Sequence, residues 1–301
     1  MRKTVTLGLM MLVCVPAAWA NCNWNQAPAA VDFGMYLAMS GGTLTATSPF
    51  RVRCTPSSQG QVVISAGTPP ASFTPRTLKG PGGATLPYNL FLDATYTAIW
   101  GDGTGGSAVP AAYMTGPGGG NTYFDGTIYA ALPSGADVPP GIYTDTVGVD
   151  IVDGKSRDST TMTITTIVGR ECTVSAFSIS FGNYDTVGAN DAAPLDATAP
   201  IDVRCTAGTT ATVALGTGMH FSGGVRRLMS AAGVYLGYNV FTDAARGAVW
   251  DNLMVKSGTS VSMNTPVTLN PGGSVLFGRV FAGQDVPAGT YTDTLQATVN
   301  Y

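Results

Sequence analysis

The chain has 301 residues, of which only 11% are charged, with 39 glycines, 19 prolines and a formal net charge of −3. No basic run exists, which argues against nucleic acid as a partner. The absence of sustained helical periodicity and the frequent Gly/Pro punctuation exclude a helical bundle and predict an all-β chain of many short strands.

At the start, Arg2 and Lys3 precede an apolar run over residues 7–15, and Ala18-Trp19-Ala20 offers an A-x-A cleavage site. Residues 1–20 therefore read as a signal peptide, and the mature chain is expected to begin at Asn21 and to be exported. The apolar run is too short to span a bilayer, so no membrane insertion is expected. Neither Cys14 nor Cys22 follows the small residue that lipoprotein processing requires. With Cys14 in the leader, four cysteines remain: Cys22, Cys54, Cys172 and Cys205. Their even count and matched spacing in an exported chain read as one disulfide per half. A zinc site is the alternative, but the sequence has no Cys-x-x-Cys and a single histidine, His220, far from the cysteines.

Along the mature chain, a set of short motifs occurs twice, about 150 residues apart. Phe33-Gly34 answers Phe181-Gly182, and Val52-Arg53-Cys54-Thr55 answers Val203-Arg204-Cys205-Thr206. Tyr88-Asn89-Leu90-Phe91 with Trp100 answers Tyr238-Asn239-Val240-Phe241 with Trp250. Asp137-Val138-Pro139 leads into Tyr143-Thr144-Asp145-Thr146, as Asp285-Val286-Pro287 leads into Tyr291-Thr292-Asp293-Thr294. These are whole tandem domains, residues 21–169 and 170–301. Each is long enough for one β-sandwich.

The two copies end differently. Residues 290–301 alternate, with Tyr291, Leu295, Ala297, Val299 and Tyr301 on one face and polar residues on the other. Their counterpart, residues 142–152, continues through a polar turn at residues 153–158 into another strand-like segment, residues 159–168. There Met162, Ile164 and Val168 share a face. The second domain thus reads as a sandwich lacking its last strand. Tyr291, Leu295, Val299 and Tyr301 are expected to edge the resulting groove. An open edge of that kind invites a strand from another chain.

These ordered motifs, from the paired cysteines through Val-Pro-x-Gly-x-Tyr-x-Asp-Thr, resemble spore coat protein U domains over essentially the whole mature chain. In proteobacteria such domains are the pilins and adhesins of archaic, Csu-type chaperone–usher pili. The resemblance implies an incomplete immunoglobulin-like, pilin-type fold completed by donor-strand complementation. It further implies a periplasmic chaperone, an outer-membrane usher and an adjacent pilin subunit as partners, and final placement on the cell surface in a fimbrium. Because Cys22 is the second residue of the expected mature chain, a Cys22–Cys54 bond would leave almost nothing ahead of the fold to donate. The chain could then accept a strand but not give one, which fits a tip adhesin attaching to an abiotic or host surface.

Counting strands back from the linker places the loops 34–46, 66–86 and 101–121, with the turn 153–158, at the pole away from the second domain. Their apolar residues Met35, Tyr36, Leu37, Met39, Phe73, Val109, Tyr113 and Met114 are the candidate surface-binding residues. The alternative is that Tyr36, Phe73 and Tyr113 fold back over the end of the sandwich.

A catalytic constellation is missing from the sequence, and neither an enzyme, a metal nor a cofactor is expected. Asp102 and the Asp150–Gly154 stretch have the wrong ligand count and spacing for an EF-hand. Asp145 and Asp293 lie too far apart for paired acid–base work and read as structural, and Trp100 and Trp250 read as core. A secreted pair of complete carbohydrate-binding sandwiches is the competing binding-module reading. An exported hydrolase is a third.

Overall fold

The computed structural model describes residues 21–154 and 157–301. The expected leader and residues 155–156 of the predicted distal turn lie outside them. The first unit contains β1 (Cys22–Gln26), β2 (Val31–Tyr36), β3 (Leu44–Cys54), β4 (Gln59–Ile64) and β5 (Arg76–Lys79). It continues with β6 (Thr85–Phe91), β7 (Tyr113–Met114), β8 (Thr122–Leu132), β9 (Gly141–Val152) and β10 (Arg157–Val168). The second unit holds β11 (Cys172–Val174), β12 (Leu195–Pro200), β13 (Val203–Cys205), β14 (Thr210–Leu215) and β15 (Arg226–Ser230). It ends with β16 (Tyr235–Phe241), β17 (Lys256–Thr259), β18 (Val275–Val280), β19 (Tyr291–Thr292) and β20 (Ala297–Asn300). A short helix, α1 (Ala189–Ala192), lies between β11 and β12.

In the first unit the path β1-β3-β8-β6 is joined through β5 to β9-β10-β2, with β4 pairing β9 and β7. Both layers alternate. Phe50, Val52, Leu90, Ile128 and Leu132 face Val62, Ile64, Val147, Val149, Met162 and Ile164 across one buried core. Trp100 closes this core, and its indole N–H donates to Val62 O at 3.0 Å, so both repeat tryptophans are core residues, as Trp250 bonded to Val213 O confirms.

The second unit repeats these pairings one for one: β11–β13, β12–β18–β16–β15–β19, and β17–β14–β20. Among the described residues two pairings have no counterpart. In the first unit β10 lies antiparallel to β9 over 12 residues and parallel to β2. In the second, nothing pairs with β20 on the side away from β14, and residues 175–185, which answer β2, form no strand. Both disulfides are formed, Cys22–Cys54 and Cys172–Cys205, each bridging the paired strands at the start of its unit.

The direction of β2 corrects the strand count. Because β2 runs parallel to β10, which leads into the second unit, the end of β2 and the loop after it lie at the joint between units. Glu171 accepts hydrogen bonds there from Met39 N (2.7 Å), Ser40 N (3.1 Å) and the Ser40 hydroxyl. From the other side, the Asp137 carboxylate accepts from Ala207 N (2.8 Å) and Met263 N (2.7 Å) of the second unit. Each unit thus caps backbone donors of the other, and Met263 packs against the first core.

Candidate functional site

The site is built from the open edge of the second unit. Its far wall is the segment holding Phe177, Ile179 and Phe181; its near wall carries Tyr291 and Leu295. Leu236, Tyr238 and Val280 form the floor, and the groove encloses about 870 Å³. The first unit shows what such a groove looks like when filled. There Tyr143, Asp145, Val147, Val149 and Ile151 are all buried, with β10 paired alongside them and adding Met162, Ile164, Thr166 and Val168 to the same buried face. Their counterparts Tyr291, Asp293, Leu295, Ala297 and Val299 are only half-buried. A strand apolar on one face, with an unpaired backbone edge, is the arrangement that recruits a further strand.

The groove is held in shape by polar contacts that match those of the first unit. Tyr291 Oη donates to Pro287 O at 2.8 Å, as Tyr143 Oη does to Pro139 O at 2.7 Å. This bond pins the start of the strand in the manner of an immunoglobulin tyrosine corner. Asp293 accepts from Tyr238 Oη (2.8 Å) and Met219 N (2.9 Å), matching Asp145 with Tyr88 Oη (2.7 Å) and Thr68 N (2.8 Å). Burial, with the carboxylate alongside, pushes both tyrosine hydroxyls well above the usual range, so each stays a donor. Beneath them lie two buried arginines. Arg76 donates to Ser65 O, Trp100 O and Asn89 Oδ1, and burial lowers its pKa to about 10. Arg226 donates to Gly216 O and Trp250 O, also with a lowered pKa from burial.

Of the predicted groove residues, Tyr291 and Leu295 line it. Val299 lies farther along the same open edge, in β20 opposite Val213, and Tyr301 is exposed beyond it. The walls formed by residues 177–181 were missing from the sequence reading. Their signal was present in the alternation Phe177, Ile179, Phe181 leading into the repeated Phe-Gly.

The predicted surface-binding residues separate into three groups. Tyr36 and Phe73 are buried, at 0% and 7% exposure, so they belong to the core and not to a contact surface. Tyr36 Oη accepts from Ala136 N, and Phe73 lies beside Arg76, whose guanidinium is 4.9 Å from the ring centre. Met35, Leu37 and Met39 sit at the joint. Met35 stays exposed there, opposite Ile167, which in turn pairs with the exposed Ile142. Tyr113 and Met114 lie at the far pole, because β7 pairs with β4 beside the Cys22–Cys54 bridge. Tyr113 stacks on Phe124, and Met114 is 70% exposed. Val109 is half-buried in the loop leading to them. Among the described residues no cluster of His, Cys, Asp or Glu is arranged to hold a metal, and no helix is long and apolar enough to cross a membrane.

The family model for the Spore Coat Protein U domain matches twice, over residues 9–150 and 158–298. The chain belongs to that family. The two matches divide ahead of β10, whereas by strand pairing β10 is part of the first sandwich. Protein U of Myxococcus xanthus is 32% identical over 147 residues, covering 44% of this chain and 79% of that protein. Among solved structures, the chaperone–tip adhesion subunit pre-assembly complex CsuC–CsuE of Acinetobacter baumannii is 17% identical. That match covers 93% of this chain and 100% of the other, with a TM-score of 0.49. The CupB6 tip adhesin of Pseudomonas aeruginosa is 13% identical, covering 93% and 94%, with a TM-score of 0.39.

Proposed function

We propose that this Spore Coat Protein U family chain is a tip adhesin of an archaic chaperone–usher pilus, its second domain completed by a strand from the adjacent pilin. The observation that carries the reading is internal. Two copies of one sandwich differ by β10, and the copy without it exposes the groove that β10 fills in the other. In this reading a periplasmic chaperone covers the groove in transit, an outer-membrane usher exchanges the chaperone for the pilin strand, and the assembled subunit stands at the cell surface. The two disulfides suit the oxidising compartments on that route.

The chemistry of the two poles supports a terminal place for the first domain. At the joint, the turn after Cys205 offers the N–H of Ala207 to Asp137. The equivalent turn after Cys54 has Pro56, which has no N–H to give. Its neighbours are already satisfied internally: Thr55 N by Asn21 O, Ser57 N by Gly116 O and Ser58 N by the Thr115 hydroxyl. That pole is therefore poorly suited to a joint like the one between the two domains. It presents Met114 and Tyr123, 70% and 51% exposed, as the apolar residues for surface attachment.

Two measurements test the reading. Expressed without a partner, the leaderless chain should aggregate, and co-expression with a chaperone from an archaic pilus system should keep it soluble. A chain that purifies alone as a monomer, with the amides of residues 295–299 that point away from β14 already exchanging slowly, would refute donor-strand completion. Replacing Met114 and Tyr123 with Ser should leave secretion intact and reduce attachment of piliated cells; unchanged attachment would remove the adhesive role of this pole.

A further inference from the structure

We propose that the groove reads one hydroxyl in its incoming strand: a Ser or Thr facing Tyr291, donating to the carbonyl of Gly182. The inference rests on the donor-strand reading above and adds to it a sequence rule for the donor.

The template is in the first sandwich. Thr166 of β10 stands opposite Tyr143, is fully buried, and its hydroxyl donates to Gly34 O at 2.8 Å. A buried hydroxyl between Ile164 and Val168 is costly unless it is bonded. Here it answers a specific need. Gly34 has φ +75°, a left-handed conformation, and the β2–β10 register slips at this point, between Thr165 and Ile167. The bulge takes the Gly34 carbonyl out of the regular ladder, and the threonine side chain satisfies it instead.

The second sandwich keeps the receiving half of this contact. Gly182 follows Phe181 as Gly34 follows Phe33, has φ +78°, and lines the groove across from Tyr291. Among the described residues its carbonyl accepts no hydrogen bond. A strand laid antiparallel to the 291–300 segment, as β10 lies on β9, brings its Thr166 equivalent to that carbonyl. In the same register, positions equivalent to Met162 and Ile164 face Leu295 and Asp293, and the Val168 equivalent lies beside Gly289. The donor sequence therefore reads apolar-x-apolar-x-Ser/Thr-x-apolar from its N-terminal end. A valine in place of the hydroxyl has the right shape but leaves a buried carbonyl without a partner, which is the more expensive error.

The test uses the leaderless full chain, refolded from denaturant in the presence of labelled synthetic peptides copied from residues 157–168 of its own first domain. The unaltered peptide and its Thr166→Ser variant are expected to bind and to slow amide exchange along residues 177–184 and 291–300. The Thr166→Val peptide is expected to bind at least about fivefold more weakly, although valine is also a good strand former and more apolar. Equal or tighter binding of the Thr166→Val peptide would overturn the hydroxyl rule and leave strand acceptance standing. Failure of all three peptides to bind would overturn both. Leu295→Arg and Val286→Arg in the full chain each place a charge in the groove and should abolish capture, with the Trp250 near-ultraviolet signal reporting that the core is intact. Capture undiminished in both would locate the peptide elsewhere and overturn the assignment.

Discussion

Asp137→Ala isolates the joint between the two sandwiches. The Asp137 carboxylate accepts two backbone N–H bonds from the second domain, from Ala207 at 2.8 Å and Met263 at 2.7 Å. Hydrogen bonds to a charged group each contribute about 1.5–3 kcal/mol, and partial exposure argues for the lower end. Losing both should cost the closed joint about 3 kcal/mol, roughly a hundredfold in its opening equilibrium. Hydrogen exchange followed by mass spectrometry or NMR reads this directly. The Ala207 and Met263 amides should exchange up to that much faster, while amides of β14 and β18 inside the second sandwich keep their protection. Asp137→Asn, which retains one acceptor oxygen, should fall between. Unchanged protection at Ala207 and Met263 would refute the clamp. Loss spread evenly over β14 and β18 would show that the substitution unfolds a domain instead of opening a joint.

Tyr36→Ser and Phe73→Ser should each destabilise the first sandwich by about 3–5 kcal/mol in urea unfolding, since both rings are buried; near-neutral effects would return them to the surface. Replacing Cys22 and Cys54 together by Ser should lower stability by roughly 3–4 kcal/mol on the chain-entropy model, with the second sandwich unaffected, as separate denaturation transitions would report. Burial lowers the Lys256 pKa from 10.5 to about 8, so the native state gives up this proton before the unfolded chain does. The second sandwich should therefore gain stability as pH rises from about 8 towards 10.5, and Lys256→Met should remove that rise; an identical pH profile in the variant would refute it.

Much of this architecture was legible in the residues because period-two alternation and a long internal repeat are both strong signals. Residues 290–301 and 159–168 alternate clearly, and comparing the two copies was enough to expect one strand fewer in the second. The polarity of the first domain was not legible. Counting strands assumed that each connection is a hairpin, whereas β2 leaves β1 to join the opposite layer beside β10. The bulge at Gly34 then shifts the alternation by one, turning Tyr36 inward and Met35 outward. An isolated glycine after Phe33 in an alternating run is the available hint of such a bulge. The joint was invisible for a different reason. Asp137 and Glu171 bond to main-chain groups remote in sequence, and a main-chain N–H carries no side-chain signature. Glu171 is the only glutamate in the chain, a singularity that gains meaning only once its partners are known.

The reciprocal capping at that joint has a mechanical consequence. Two sandwiches connected by one extended strand resist stretching but swivel freely, like a flail. Here the connection at residues 169–171 is flanked by Asp137 reaching forward and Glu171 reaching back, so tilting either body breaks charged hydrogen bonds before the peptide chain comes under load. A force applied to the far pole of the first sandwich is thereby passed to the second as torque, and the pair behaves as a short strut.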